Sequence, residues 1–294
     1  MIEIKTIGRE AVGEVASLIA ELNNSEESHI GYCGKDENEI RKSLLEDLDE
    51  VPFSDCFAGV YEGATLVGVV GFDADLEDRS AEVWGPFLQE NKWEAAFDLW
   101  NKMIELLPEE IDSLQMFSNA KNLRVCHLAD ELSFKKHSDQ TILEFHRENR
   151  ESLNSAQVEE ITPEYVSAMT KLHDQAFPDT YYNGRQIIDR LNDHYRKVFV
   201  ITSKGALTGY IYVEAEPEFG DANIEFFAVD PSARGQGIGT QLLAGALQWL
   251  FTFESIESIR LCVNASNGQA IHVYKKAGFQ HLHDLRVFTK EIND

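Results

Sequence analysis

Apolar and polar residues alternate along Ile2–Ile7 and then give way to an amphipathic helical pattern. The same order returns at Val158–Ile161. Alternation marks a half-buried strand, and a 3.6-residue period marks a helix with one buried face. Paired strand-like runs follow in each half. In the first they are Cys56–Tyr61 and Thr65–Asp73, turning at Glu62-Gly63; in the second they are Lys197–Thr202 and Ala206–Glu214, turning at Lys204-Gly205. Glycine between alternating runs signals a hairpin. A further strand comes next, Ala81–Trp84 and Asn223–Val229, and then a long helix. Trp93, Phe97, Trp100, Ile104 and Leu107 fit one helical stripe, and Ile238, Leu242, Ala246 and Leu250 fit another. A buried strand (Ser113–Phe117; Ser258–Val263), another helix and a last strand pair close each half. The pattern predicts an α/β protein of layered sheet and helices.

The two halves also share spelling. Asn119-Ala120-Lys121-Asn122 returns as Asn264-Ala265-Ser266-Asn267, Leu132-Ser133-Phe134 as Ala277-Gly278-Phe279, and Trp84-Gly85-Pro86 as Val229-Asp230-Pro231. All three pairs lie 145 residues apart. Three matches in one order at one offset point to a duplicated domain. The polar stretch Arg147–Gln157 lacks apolar periodicity and is the expected boundary, giving domains 1–150 and 151–294. A chain of 294 residues has room for two such domains.

Charge narrows the class. The chain holds 51 acidic and 26 basic residues, a formal net charge of -25. That argues against a protein that coats nucleic acid, which needs a cationic stripe. It suits an acidic soluble protein and leaves open one that handles cationic substrates. No apolar run is long enough to span a bilayer, and the amino terminus lacks the blocks of a signal peptide. The four cysteines, Cys33, Cys56, Cys126 and Cys262, are scattered without a CxxC, so a reducing cytoplasm is the expected compartment. His281 and His283 would share one face of a strand, but no third ligand is near them in sequence, and no metal is expected.

The strongest local signal is Val229-Asp230-Pro231-Ser232-Ala233-Arg234-Gly235-Gln236-Gly237-Ile238-Gly239-Thr240. It follows a strand and opens a helix. Alternating glycines allow a tight turn and expose successive N–H groups, which with the positive end of a helix dipole suit phosphate oxygens. Arg234 adds a cation at the rim. A Walker A loop would require lysine after the last glycine, and a dinucleotide fingerprint would require G-x-G-x-x-G in an early βαβ unit; neither is present.

This run resembles the acetyl-CoA pyrophosphate loop of GNAT N-acetyltransferases. A second stretch, Asn267 through Ala270 and Tyr274 to Gly278-Phe279, is similar to that family's Asn-x-x-Ala-x-x-x-Tyr-x-x-x-Gly-Phe element. The full resemblance covers residues 158–294; the first half resembles the fold without the motifs. It implies two tandem acyl-CoA N-acyltransferase domains, each a mixed sheet flanked by helices. It further implies acetyl-CoA as donor, held by Phe227, Ala228 and Val229 along the pantetheine arm, by the backbone of Gln236 through Thr240 (Gln236, Gly237, Ile238, Gly239, Thr240) with Arg234 and Gly235 at the pyrophosphate, and by Asn267 and Tyr274. Tyr274 is then the expected proton donor to the leaving thiolate.

The acceptor amine must lose a proton. Glu225 is the candidate base, on the reasoning that it shares one strand face with Phe227 and Val229; a surface carboxylate is the alternative. His272 has a repeat partner in His127, which suggests a structural role for both. The loop Phe177-Pro178-Asp179-Thr180-Tyr181-Tyr182 lies where the family builds its acceptor wall, so Asp179, Tyr181 and Tyr182 are candidate substrate contacts, or else simply a packed loop. The expected acceptor is a primary amine on a small molecule or peptide; neither nucleic acid nor membrane is an expected partner, and the protein is expected to be a monomer or homodimer. The competing reading is a non-catalytic module that binds acetyl-CoA or a protein partner.

At the 145-residue offset, Arg234 corresponds to Gln89, the three loop glycines to Glu90, Lys92 and Glu94, Tyr274 to Ala129 and Glu225 to Ser80. The first half is therefore expected not to bind acetyl-CoA. Residues 1–150 also carry most of the acidity, with 32 acidic against 14 basic residues.

Overall fold

The structure is a computed structural model describing residues 2–154, 156–178, 180–192 and 194–292. The first half runs β1 (Ile2–Thr6), α1 (Val12–Asn23), α2 (Glu37–Glu46), α3 (Phe53–Cys56), β2 (Phe57–Glu62), β3 (Thr65–Asp75), β4 (Ser80–Leu88), α4 (Ala96–Ile104), β5 (Ser113–Asn119), α5 (Leu123–Glu131) and β6 (Lys135–His146). The second runs β7 (Glu159–Glu160), α6 (Pro163–Ala176), α7 (Gly184–Arg190), β8 (Arg196–Ser203), β9 (Ala206–Glu216), β10 (Asp221–Val229), α8 (Ile238–Leu250), β11 (Ser258–Asn264), α9 (Gly268–Ala277) and β12 (Gln280–Glu291). Each half is thus the same mixed α/β plan. None of the described helices is long and apolar enough to cross a membrane.

The chain forms two compact units: Met1–Gln140 together with His283–Asp294, and Thr141–Leu282. They differ from the sequence halves because the terminal strands are shared out. Leu143 and Phe145 of β6 are buried in the core of the second unit, whereas Phe288 of β12 is buried in the core of the first. Arg147 is held in the second unit by hydrogen bonds from Nε to Ile256 O (2.7 Å) and from Nη1 to Phe251 O (3.2 Å).

In the first unit the strand order is β1-β2-β3-β4-β5-β12. β4 and β5 are parallel, whereas β1 with β2, β2 with β3, β3 with β4 and β5 with β12 are antiparallel. α1 buries Val15, Leu18 and Ile19, and α4 buries Ala96, Leu99, Trp100 and Met103. The expected stripe through Trp93 and Phe97 is corrected here. Trp93 sits in a 3-10 turn, so the 3.6-residue period begins only at Ala96, and Phe97 is left 42% exposed.

In the second unit the order is β6-β11-β10-β9-β8-β7. Its sheet has two covered faces, as strand alternation requires. Ile211 and Val213 of β9 pack with Leu242, Leu243, Ala246 and Leu247 of α8. Tyr210 and Tyr212, between them, pack on the other face with Met169 and Leu172 of α6 and Ile187 of α7. Each such buried side chain stabilises the unit by about 1.5–3 kcal/mol. Pro163 opens α6, where its missing N–H costs nothing. Asn183 and Gln186 form a capping box that starts α7.

Candidate active site

The site is organised by one irregularity in β10. Its pairing with β9 slips by one residue between Ile224 and Phe226, leaving Glu225 without a partner across the ladder. A bulge of this kind reverses which residues face which side. Before it, Ala222 and Ile224 point into the α8 core; after it, Phe226 and Ala228 point into the α6 core, and Phe227 and Val229 pack on the α8 side. The expected common face for Glu225, Phe227 and Val229 is therefore wrong. Glu225 lies with Phe226 on the α6 side, and Phe227 and Val229 lie opposite.

β10 also parts from its parallel neighbour. It pairs with β11 at Asn223↔Arg260 and Ile224↔Leu261, yet continues to Val229 paired with β9. Among the described residues, the β11-facing edge of 227–229 has no strand partner. The chain then enters the glycine loop. Asp230 accepts from Ser232 N at 2.8 Å, and Arg234 Nε donates to Val229 O at 3.3 Å. Gly235 and Gly237 take positive φ of 76° and 79°, which a side chain would oppose. Gly237 is the N-cap of α8, and among the described residues no side chain caps that helix, so its first N–H groups lack a side-chain cap. A Cβ at Gly239 would come within 2.9 Å of the Phe227 ring, so the bare glycine lets the helix start close on the strand.

Tyr274 is buried between Phe227 and Phe279, with ring centroids 6.0 and 5.9 Å away. Burial pushes its phenol well above the ordinary value, which keeps the proton on the oxygen. Asn267 acts locally as the cap of α9, accepting from Ala270 N at 3.1 Å. Cys262 of β11 was not singled out by sequence. Although the residue is exposed, desolvation of its thiol and then Glu225 push the thiol up to about 12, so it stays protonated.

On the α6 side, Tyr181 donates its hydroxyl to Glu225 Oε2 at 2.6 Å, and its ring packs on Phe226 at 4.9 Å. Burial lifts the Glu225 carboxyl to about 7, against the opposing pull of the Tyr181 hydrogen bond. The loop carrying Tyr181 is fixed by His173, fully buried on α6. His173 Nε2 donates to Tyr182 O at 2.7 Å, so its neutral Nδ1 accepts from the Tyr210 hydroxyl. Burial lowers the His173 pKa, consistent with the neutral ring. The Tyr182 ring lies under the Arg190 guanidinium at 4.1 Å. Of the three expected acceptor contacts, Tyr181 reaches Glu225, Tyr182 sits one ring further out, and Asp179 lies outside the described residues.

Residues 158–279 match the profile of the Acetyltransferase (GNAT) family. This segment is a GNAT acetyltransferase domain. The chain is 27% identical over 139 residues to an N-alpha-acetyltransferase from Sulfurisphaera tokodaii, covering 44% of this chain and 83% of that protein. In fold it is similar to a GCN5-related N-acetyltransferase from Sphaerobacter thermophilus (TM-score 0.76, 15% identity, covering 100% of this chain and 96% of that one). It is likewise similar to a tandem GNAT protein from the clavulanic acid biosynthesis pathway (TM-score 0.69, 17% identity, covering 100% and 99%). Family membership implies acetyl-CoA. The unpaired edge at 227–229, the two left-handed glycines and the uncapped start of α8 fit a long ligand whose extended arm leads to a pyrophosphate.

The first unit repeats the GNAT plan but differs where that ligand would lie. β4 pairs with β5 only at Ser80–Glu82, as β10 does with β11. Beyond that point the edge of β5 is taken by the chain itself. Asn119 N donates to His29 O (3.0 Å), Gly31 N donates to Phe117 O (2.6 Å), and Ile30, opposite Ser118, is fully buried. The strand registers also correct the residue correspondence. Gly68↔Leu88 and Ala74↔Ala81 of the first hairpin match Gly209↔Val229 and Ala215↔Ala222 of the second, an offset of 141, whereas β5 and β11 differ by 145. The equivalent of Val229 is Leu88 and that of Glu225 is Trp84. Only 24 residues separate Leu88 from Ser113, against 28 between Val229 and Ser258. The first half is thus four residues shorter over the loop and helix that join these strands, where glycine-for-charge exchange had been expected.

The expectation of a structural role for His127 and His272 also changes. His127 and His272 are both exposed on their helices, without a core role. His283 is buried in the first unit beside Glu26 (3.3 Å), Lys35 (3.2 Å) and the His29 ring (4.9 Å). No group of three or more ligating side chains suited to a metal occurs among the described residues.

Proposed function

We propose that residues 151–294 form an N-acetyltransferase domain that moves an acetyl group from acetyl-CoA to a primary amine of a small molecule or peptide by direct attack. The observation that carries this reading is Glu225, raised to about 7 and bonded to Tyr181, at the bulge where β10 and β11 part. Acetyl-CoA supplies an acyl group activated as a thioester. Along Phe227–Val229 the free backbone edge accepts the pantetheine arm as a sheet accepts a strand, with Ala228 between them turned into the core. The amides of Gln236, Gly237, Ile238, Gly239 and Thr240 hold the pyrophosphate, with Arg234 and Gly235 at its rim and Asn267 beyond. A backbone N–H near Val229 polarises the thioester carbonyl.

Glu225 Oε takes the proton of the attacking amine. A carboxyl that titrates near 7 is poised for that step at neutral pH. Tyr274 Oη gives a proton to the leaving sulfur. Tyr181 and Tyr182 line the amine side, and Cys262, held as a thiol, takes no covalent part.

Residues 1–150 are proposed as a degenerate GNAT-like domain that does not take acetyl-CoA. Support comes from His29–Gly31 on the β5 edge and from the shortened loop. Four free cysteines suit a reducing cytoplasm. The deciding experiment measures CoA release from acetyl-CoA with polyamines, aminoglycosides, amino acids and peptide amino termini. Release with one class is expected. Tight acetyl-CoA binding with no release for any amine would reduce the domain to a binding module.

A further inference from the structure

We propose that the acceptor carries a carboxylate several bonds away from its amine, and that Arg190 and Arg196 receive that carboxylate; this rests on the acetyl-transfer reading above. The two arginines converge on one acid. Arg190 Nη2 lies 3.2 Å from Glu214 Oε1, and Arg196 Nε lies 3.2 Å from Glu214 Oε2. Tyr212 also gives its hydroxyl to Glu214 Oε1. The two guanidiniums share the one carboxylate they touch; Glu225, the other acid that Arg190 senses, is bonded to Tyr181. The nearby Asp221 faces Arg260 at 3.4 Å.

Arg190 is held for use. Its guanidinium lies over the Tyr182 ring at 4.1 Å, and its Nε is buried without a hydrogen-bond partner among the described residues. A buried donor with no acceptor costs free energy, and an oxyanion is its natural complement. The position fits the chemistry. Tyr182 touches Tyr181 at a centroid distance of 4.8 Å, and Tyr181 bonds Glu225. Glu214 of β9 and Glu225 lie on the same face of the sheet, below α6 and α7. An amine at Glu225 would therefore reach back across two tyrosine rings to the arginines. An acceptor with a second cation, such as a polyamine, would place that cation against the two guanidiniums instead.

The test compares amines that differ by one carboxylate. CoA release by the full chain is measured with 6-aminohexanoate against pentylamine and with lysine against cadaverine, and spermidine serves as the polyamine arm. The carboxylated member of each pair is expected to have the higher kcat/KM by about ten-fold, the worth of one charge-assisted contact. Arg190→Gln is expected to bring that ratio close to one, acting on KM of the carboxylated member, and Arg196→Gln, the second variant, is expected to do the same. Preference for cadaverine or spermidine overturns the assignment, as does a ratio unchanged in both variants. Calorimetry with the same pairs separates this inference from the transfer reading. Carboxylate-dependent binding without CoA release would remove transfer and keep the arginine site. CoA release without carboxylate preference would keep transfer and remove the arginine site.

Discussion

Removing the Tyr181 hydroxyl should move the pH dependence of the reaction. Glu225 must be ionised to accept a proton, so the rate should rise as pH passes through its pKa, which burial sets at about 7. The Tyr181 hydrogen bond, 2.6 Å long, favours the ionised form and therefore lowers that pKa. A hydrogen bond to a charged group is worth about 1.5–3 kcal/mol, and one pKa unit is about 1.4 kcal/mol. Tyr181 is 56% exposed, so the lower end applies. Tyr181→Phe should therefore raise the acid limb of kcat/KM by about one unit and cut the rate at pH 7 by about five-fold, while the rate well above the limb recovers. The assay is CoA release at limiting acceptor across pH 5.5–9, taking about half-unit steps to resolve such a shift. Glu225→Gln, in the same series, should abolish the acid limb and lower kcat by about 100-fold or more. An acid limb that stays in place in Tyr181→Phe, or survives in Glu225→Gln, would show that Glu225 is not the titrating base.

Three further outcomes are expected. Tyr274→Phe should lower kcat by about ten-fold or more with little change in acetyl-CoA affinity, because it removes a proton donor and keeps the ring between Phe227 and Phe279; single-turnover rates with parallel binding measurements check this. Gly237→Val should weaken acetyl-CoA binding measured by calorimetry, since its φ of 79° costs a side chain about 1–2 kcal/mol. Glu82→Gln in the first unit should stabilise the protein at pH 8 and not at pH 4. Burial, then Asp73 and Asp75, raises Glu82 from 4.5 to about 7, so the native state holds more protons than the unfolded one in that interval and stability falls as pH rises through it. The gain above pH 7 is on the order of 3 kcal/mol, and thermal unfolding at both pH values reads it; equal shifts at the two would contradict this linkage.

Much of the fold is legible in local pattern. The hairpins at Gly63 and Gly205 and the phosphate-loop spelling from Val229 to Thr240 depend on residues close in sequence, so each signals its own backbone. The stripe of α8 was equally plain, because Ile238, Leu242, Ala246 and Leu250 all fall on its buried face. The stripe of α4 was misread because a 3-10 turn, which apolar spacing does not announce, delays the helix to Ala96.

The composition, the duplicated plan and the loop that starts α8 were determined by the sequence itself, since periodicity and glycine placement act over a few residues. Tertiary structure alone decided which side of the sheet Glu225 serves. Strand alternation assigns faces by counting, and one unpaired residue in the ladder between β9 and β10 inverts the count. The same holds for the first unit, where His29–Gly31 reach the edge of β5 across nearly ninety residues of chain, and for Arg190, Arg196 and Glu214, which three separate elements bring to one place. Contacts of that span leave no local period, because what specifies them is the packing of whole elements against one another.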